Sequence, residues 1–231
     1  MNPDNIHEIL EIVKALRKTN RRFWIVGGAI TFLYVEEEYA SKIRPTKDID
    51  CIVEVLNYTS FAGLESDLRN IDFEHDAESD IICRWKFKGI TVDVIPSESG
   101  NILGFTNSWY KDGMENSIKK QIEDIEISYF PLCYFLASKI EAFNSRGKGD
   151  YYGSEDFEDI VFLLDGVKNL KEFYTFPPKV IIYLKTQFAL MLNDKNFESA
   201  LYGHLDQSPV RDGRAERIIG FLKEFTLNKF D

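Results

Sequence analysis

The stretch Asp48-Ile49-Asp50-Cys51-Ile52-Val53 constrains this chain more than any other. Its apolar and β-branched residues predict a strand over 46–53. Strand side chains alternate between faces, so Asp48 and Asp50 share one side and Ile49, Cys51 and Val53 the other. The second side reads as a core face. The first carries two carboxylates side by side, which repel each other unless a cation lies between them. A hard divalent ion such as Mg2+ takes oxygen ligands of this kind together with phosphate oxygens.

A third acid raises the same problem. Ile81–Phe87 and Ile90–Pro96 read as two strands around a Lys88-Gly89 turn, which predicts a hairpin. Asp93 stands inside the second strand, on a face with Thr91 and Ile95. A buried carboxylate with no partner is costly. Asp93 therefore needs a metal, a cation or water, and an ion pair within the protein would satisfy it. If its strand lies beside 46–53, it joins Asp48 and Asp50 in one cluster of three carboxylates.

Upstream, Phe23-Trp24-Ile25-Val26 is a short buried strand closed by Gly27-Gly28, and Ala29–Val35 is expected to continue as a helix. A glycine pair lets the backbone turn sharply and approach a ligand, and amides at a helix start suit a phosphate. A plain strand-to-helix turn fits the same residues.

At 231 residues and 44% apolar content, the chain has enough material for one large domain or two small ones. No apolar run approaches membrane-spanning length, and Met1–His7 lacks the basic and apolar regions of a secretory leader. Cys51, Cys83 and Cys133 are far apart, as expected of buried free thiols in a reducing cytosol; scattered His7, His75 and His204 argue against zinc. The net charge of −10 opposes general nucleic-acid binding. Positive charge gathers locally at Arg17-Lys18, at Arg21-Arg22 and at Lys42, Arg44 and Lys47, the last group immediately before the paired acids.

Apolar spacing predicts helices from Ile6 to about Asn20 and over 57–71. Asn107–Gly113 reads as a short helix or a turn, and Ile118–Ile127 as a strand. From Pro131 the pattern is helical: about 132–143, 154–164 after an N-cap at Ser154, 178–192 after Pro177, 197–202 and 214–225. The expected class is α+β, a small mixed sheet flanked by helices and followed by a helical C-terminal region, with domains at 1–130 and 131–231.

Gly27-Gly28, the Asp48-x-Asp50 strand and Asp93 on a later strand together resemble the signature of the nucleotidyltransferase superfamily that includes DNA polymerase beta. Arg44-Pro45-Thr46-Lys47-Asp48-Ile49-Asp50 looks especially like the AbiEii-type branch, which includes toxins of toxin–antitoxin pairs. That branch also carries a helical lysine, an arginine and spaced aspartates, and Lys139, Arg146, Asp156 and Asp159 are similar in order. The likeness spans roughly 22–165. Ala29-Ile30-Thr31 departs from the branch of CCA-adding enzymes. Glu155 stands where a basic residue often precedes the first spaced aspartate.

The resemblance implies a nucleotidyltransferase fold and a cytoplasmic enzyme that moves a nucleoside monophosphate from a nucleoside triphosphate to a hydroxyl, releasing pyrophosphate. The acceptor would be RNA, a protein or a small molecule, and a toxin would have an antitoxin partner. Asp48, Asp50 and Asp93 would be catalytic and would hold Mg2+ or Mn2+. Gly27, Gly28, Thr46, Lys139 and Asp156 would bind the nucleotide. On the residues alone, Lys139 also reads as a solvated helix lysine, and Asp156 as one of several acids favouring a helix start. Tyr151 and Tyr152 suit packing or base stacking. The alternative function is a catalytically inactive nucleotide-binding or partner-binding protein of the same fold.

Overall fold

A computed structural model of the chain describes residues 3–40, 46–55, 58–98, 103 and 107–228. Lys42, Arg44, Pro45 and Asn57, used above, lie outside the described residues. The chain divides into two compact units, Met1–Leu33 with Ala40–Pro131, and Tyr34–Tyr39 with Leu132–Asp231. The architecture is α+β, a mixed sheet with flanking helices plus a helical C-terminal region. No helix among the described residues is long and apolar enough to cross a membrane.

The first half runs α1 (Pro3–Leu16), β1 (Phe23–Val26), α2 (Glu37–Ala40), β2 (Ile49–Val53), α3 (Tyr58–Asn70), β3 (Glu74–His75), β4 (Arg84–Phe87) and β5 (Ile90–Pro96). It continues with α4 (Tyr110–Glu115), β6 (Ile118–Ile122) and β7 (Ile125–Tyr129). The sheet order is β3-β4-β5-β2-β1-β7-β6. β2 lies between β5, which it meets in parallel, and β1, which it meets antiparallel. Ile49, Cys51 and Val53 are buried, as alternation requires. Helix α1 buries Ile9, Ile12, Val13 and Leu16.

Four local expectations need correcting. β2 begins at Ile49, so Asp48 lies in the bend before the strand. β1 ends at Val26, opposite Asp50, and gives earlier residues nothing to pair with on that side. Ile81–Cys83 do not extend β4, because the amide of Arg84 donates to the Ile81 carbonyl in a turn. Gly28–Leu33 is a 3-10 helix, with the Thr31 hydroxyl donating to the Gly28 carbonyl at 2.7 Å. Residues 118–127 are not one strand. They turn at Glu123, whose φ is 53°, and the returning strand β7 pairs in parallel with β1.

The second unit holds α5 (Leu132–Ser145), α6 (Glu155–Gly166), a 3-10 turn at Leu170–Thr175, α7 (Pro178–Asn193), α8 (Phe197–His204) and α9 (Arg211–Leu227). Ser154 caps α6 by accepting from the amide of Phe157, and Pro177 precedes α7. Phe143, Tyr151, Phe157 and Phe197 pack ring against ring, so Tyr151 is a core residue, while Tyr152 is exposed. The Tyr34–Tyr39 segment is tied in by Tyr34 stacking on Phe135 and by the Glu36 amide donating to the Gly166 carbonyl. Buried Asp165, near the end of α6, pairs with Arg214 and Arg217 of α9.

Candidate functional site

The two-residue Lys88-Gly89 turn sets the geometry of the first cluster. Both residues have positive φ, 50° and 85°, the conformation that matches the twist of a tight hairpin. Pairing then runs back from Phe87↔Ile90 to Arg84↔Asp93. On its other side β5 pairs with β2, and Asp93 falls opposite Asp50. The carboxylates of Asp50 and Asp93 therefore stand on neighbouring strands at one register position.

Arg84 supplies the countercharge. Its Nε donates to Asp93 Oδ1 at 2.8 Å, and one terminal nitrogen donates to Asp93 Oδ2 at 2.8 Å and to Asp48 Oδ2 at 2.6 Å. One guanidinium thus bridges a strand acid and the acid in the bend before β2. Asp93 is 7% exposed, a burial that an unpaired carboxylate would not tolerate. The hydrogen bonds that Arg84 donates to Asp93, together with the charges of Asp93, Asp48 and Asp50, hold the Arg84 pKa above its ordinary value. Burial pushes the Cys83 thiol up to about 12, and the Asp93 and Asp50 carboxylates add to that. Cys51, Cys83 and Cys133 are all buried free thiols.

Gly27 closes the other side. Its φ is 75°, and a Cβ built there would lie 1.9 Å from Asp50 Oδ2. Only a glycine admits both the turn and the carboxylate. Gly27→Ala is therefore expected to lower the melting temperature by roughly 4–8 °C, the effect of about 2 kcal/mol from positive-φ strain plus the clash. Thermal unfolding followed by circular dichroism checks this. Gly28 is buried at the start of the 3-10 helix, and Thr46 is partly exposed before β2. A 3-10 helix of six residues does not provide the α-helical N-terminus expected for a phosphate.

The three acids are hard oxygen donors, which suits a divalent ion. Their arrangement is another matter. Among the described residues no group of three or more His, Cys, Asp or Glu side chains is placed to hold a metal ion. Among the described residues, the guanidinium of Arg84 is a cation bound to Asp48 and Asp93.

The helical unit gathers a second cluster. Lys139 of α5 contacts Asp156 Oδ1 at 3.2 Å and Asp159 Oδ2 at 2.6 Å, and all three side chains are buried. Asp156 and Asp159 are three residues apart on α6, hence on one face. Arg146 adds a two-pronged bond to Asp156, both contacts at 2.8 Å. Lys139 is therefore no solvated lysine, and Asp156 does more than favour a helix start.

Burial opposes ionisation of Asp156, but Arg146 and Lys139 outweigh it and lower its pKa. A carboxyl with a depressed folded pKa stabilises the fold above its unfolded value, and that stability is lost as the pH falls through the folded pKa. Melting temperature should thus hold from neutral pH to just above the ordinary carboxylate range and drop below it. Asp156→Asn should flatten that acid limb in a melting series against pH.

Three arginines near the N-terminus are engaged elsewhere. Arg21 pairs with Asp67, Arg22 with Glu54, and Arg17 donates to the Glu126 carbonyl. Arg84 is the site residue that the reading of the sequence missed. The hairpin register would have found it, because a two-residue turn at Lys88-Gly89 puts Arg84 opposite Asp93.

No family model matches the chain, and no curated protein matches it. Among solved structures, the crystal structure of an antigenic nucleotidyltransferase-like protein from Paracoccidioides brasiliensis is similar, with a TM-score of 0.48 and 17% identity over 87% of this chain and 94% of that one. A likeness of that size assigns no role to any residue here.

Proposed function

We propose that the chain is a nucleotidyltransferase, transferring a nucleoside monophosphate from a nucleoside triphosphate to a hydroxyl on RNA, a protein or a small molecule. One observation carries this reading. Asp50 and Asp93 stand in register on parallel neighbours, Asp48 joins Asp93 through Arg84, and Asp50 lies against a glycine with positive φ. Clustered carboxylates repel, and a fold keeps such a cost where the cluster has work to do.

In the reaction, the acceptor oxygen bonds to the α-phosphorus as the bond to the pyrophosphate oxygen breaks. Asp93 takes the hydroxyl proton, and pyrophosphate leaves with the electron pair of the broken bond. Backbone amides at Gly27 and Gly28, and Thr46, would approach the phosphates. Mg2+ or Mn2+ is the cofactor suited to the donor set and would offset charge on the phosphates. Lys139 would serve a phosphate only by giving up Asp156 or Asp159, and Asp156 a nucleotide only by sharing its bonds with Arg146 and Lys139. The test offers each labelled triphosphate, with Mg2+, to total RNA, to the protein itself and to candidate small molecules. Label transfer supports the reading; none with any triphosphate or acceptor class opposes it.

The AbiEii resemblance adds a setting, a toxin held by an antitoxin. Growth arrest on expression would accompany it. A second reading draws on Arg84, which already occupies a cation's place among the acids. It makes the chain a nucleotide-binding or partner-binding protein without turnover. Nucleotide binding with no transfer under Mg2+ or Mn2+ would favour it.

A further inference from the structure

We infer that a cationic cavity at the end of β1 remote from Gly27 is a binding site for the phosphate monoester of a small molecule. The cavity is separate from the acid cluster, and its ligand takes no part in the transfer reaction. Arg22 and Phe23 open β1 beside Glu54 and Val53, whereas Asp50 lies opposite Val26 at the other end. The cavity holds about 260 Å³, and its lining belongs wholly to the first unit. Arg17, Arg21, Arg22 and Lys119 line it, and Glu126 is the acid among its described lining residues. The chain as a whole carries a net charge of −10, so this hollow is a local reversal of sign. A cleft lined by one sign of charge focuses the field and draws in the opposite ion.

Three strands and a turn assemble these groups. β1 meets β7 at Ile25↔Tyr129, and β7 meets β6 at Lys119↔Ser128. One step back along β1, Trp24 falls in a row with Ser128 and Lys119, and alternation puts Arg22 and Glu126 on that same face. A left-handed residue, Asn20 with φ 55°, turns the chain between α1 and β1. Arg17, before that turn, donates to the Glu126 carbonyl at 2.7 Å. This partner is neutral, so the bond fixes Arg17 without offsetting its charge. Arg21 is held by Asp67 through Nε and one terminal nitrogen. Arg22 is held by Glu54 and lies 5.1 Å from the centre of the Trp24 ring. A guanidinium has five N–H donors, so such bonds orient each arginine without using up its donors. Lys119 and Glu126 form an exposed pair, which gives way readily to a competing anion. Ser117 and Ser128 add hydroxyls to the lining. A phosphate monoester carries close to two charges and three acceptor oxygens, which suits donors converging on one small hollow. A nucleic-acid strand wants cations spread along its path.

The test is a titration of the full chain with ribose 5-phosphate at low salt, without nucleotide or metal. Nuclear magnetic resonance follows the Nε protons of Arg17 and Arg21 and the indole proton of Trp24. All three should shift together and saturate, and added salt should reverse the shifts. Arg17→Gln with Lys119→Gln should weaken binding by about tenfold or more at an unchanged melting temperature. Lys119→Gln alone, at a side chain 64% exposed, should show part of that loss. Asp50→Asn should bind like the native chain, which separates this cavity from the acid cluster. A single-stranded uridine oligonucleotide without terminal phosphates should bind more weakly than ribose 5-phosphate. Absence of the shifts, or native-like binding by the double variant, overturns the inference. Tighter binding of the oligonucleotide overturns it in favour of a nucleic-acid strand. None of these readouts involves transfer, so failure here spares the proposed function.

Discussion

Asp50→Asn will cut label transfer by about a hundredfold or more and will not destabilise the protein. The two halves of that statement come from one fact. Asp50 lies at the register position of Asp93, with Asp48 drawn to the same guanidinium. Asp48, Asp50 and Asp93 share one corner of the sheet, where their charges repel one another. Asparagine has the same shape, so it still fits beside Gly27, and it removes one repelling charge. The variant should melt at the native temperature or slightly above it. In transfer, the missing charge weakens attraction for any divalent ion and for the charge that develops in the reaction. Lost activity in a protein of undiminished stability would mark Asp50 as functional. Where expression of the native chain arrests growth, the same variant should be harmless.

The second large effect falls on the helical unit and concerns stability. Lys139→Met should lower the melting temperature by roughly 6–12 °C, the equivalent of about 3 kcal/mol. Asp159 has a side chain 8% exposed and is paired with Lys139 at 2.6 Å. Without the ammonium its charge is buried and uncompensated. Asp156 keeps Arg146 and suffers less. A double substitution separates charge from packing. Replacing Asp159 by leucine as well removes both members of the pair, and such double replacements are often neutral. Lys139→Met with Asp159→Leu should therefore recover most of the lost melting temperature. Failure to recover would mean that the lysine matters through packing, not charge.

Much of this arrangement could be read from residues in order. Alternation placed Cys51 and Val53 inward, and the Lys88-Gly89 turn announced the hairpin that carries Asp93. What could not be read was pairing between distant segments. Whether β5 lies beside β2 is a tertiary choice that no local pattern expresses, and the meeting of Asp50 with Asp93 depends on it. The strand β7 was hidden for a related reason. Its own residues alternate, but the exposed, lysine-bearing edge strand β6 before it carries little apolar signal, so nothing marked the turn between the two. The phosphate-binding helix expected after Gly27-Gly28 is a 3-10 turn, in a segment containing β-branched Ile30 and Thr31. Lys139 and Asp156 were picked out by likeness to a family pattern. Their burial against each other has a local cause, since α5 and α6 follow one another across a short loop and put i, i+3 acids opposite one lysine.

A crystal of the protein grown with Mn2+ and a non-hydrolysable nucleoside triphosphate analogue decides the matter most directly. An anomalous peak within coordination distance of Asp48, Asp50 and Asp93, with the triphosphate beside Gly27 and Gly28, would bear out the proposed site. A triphosphate bound elsewhere, or no metal at the three acids, would refute it.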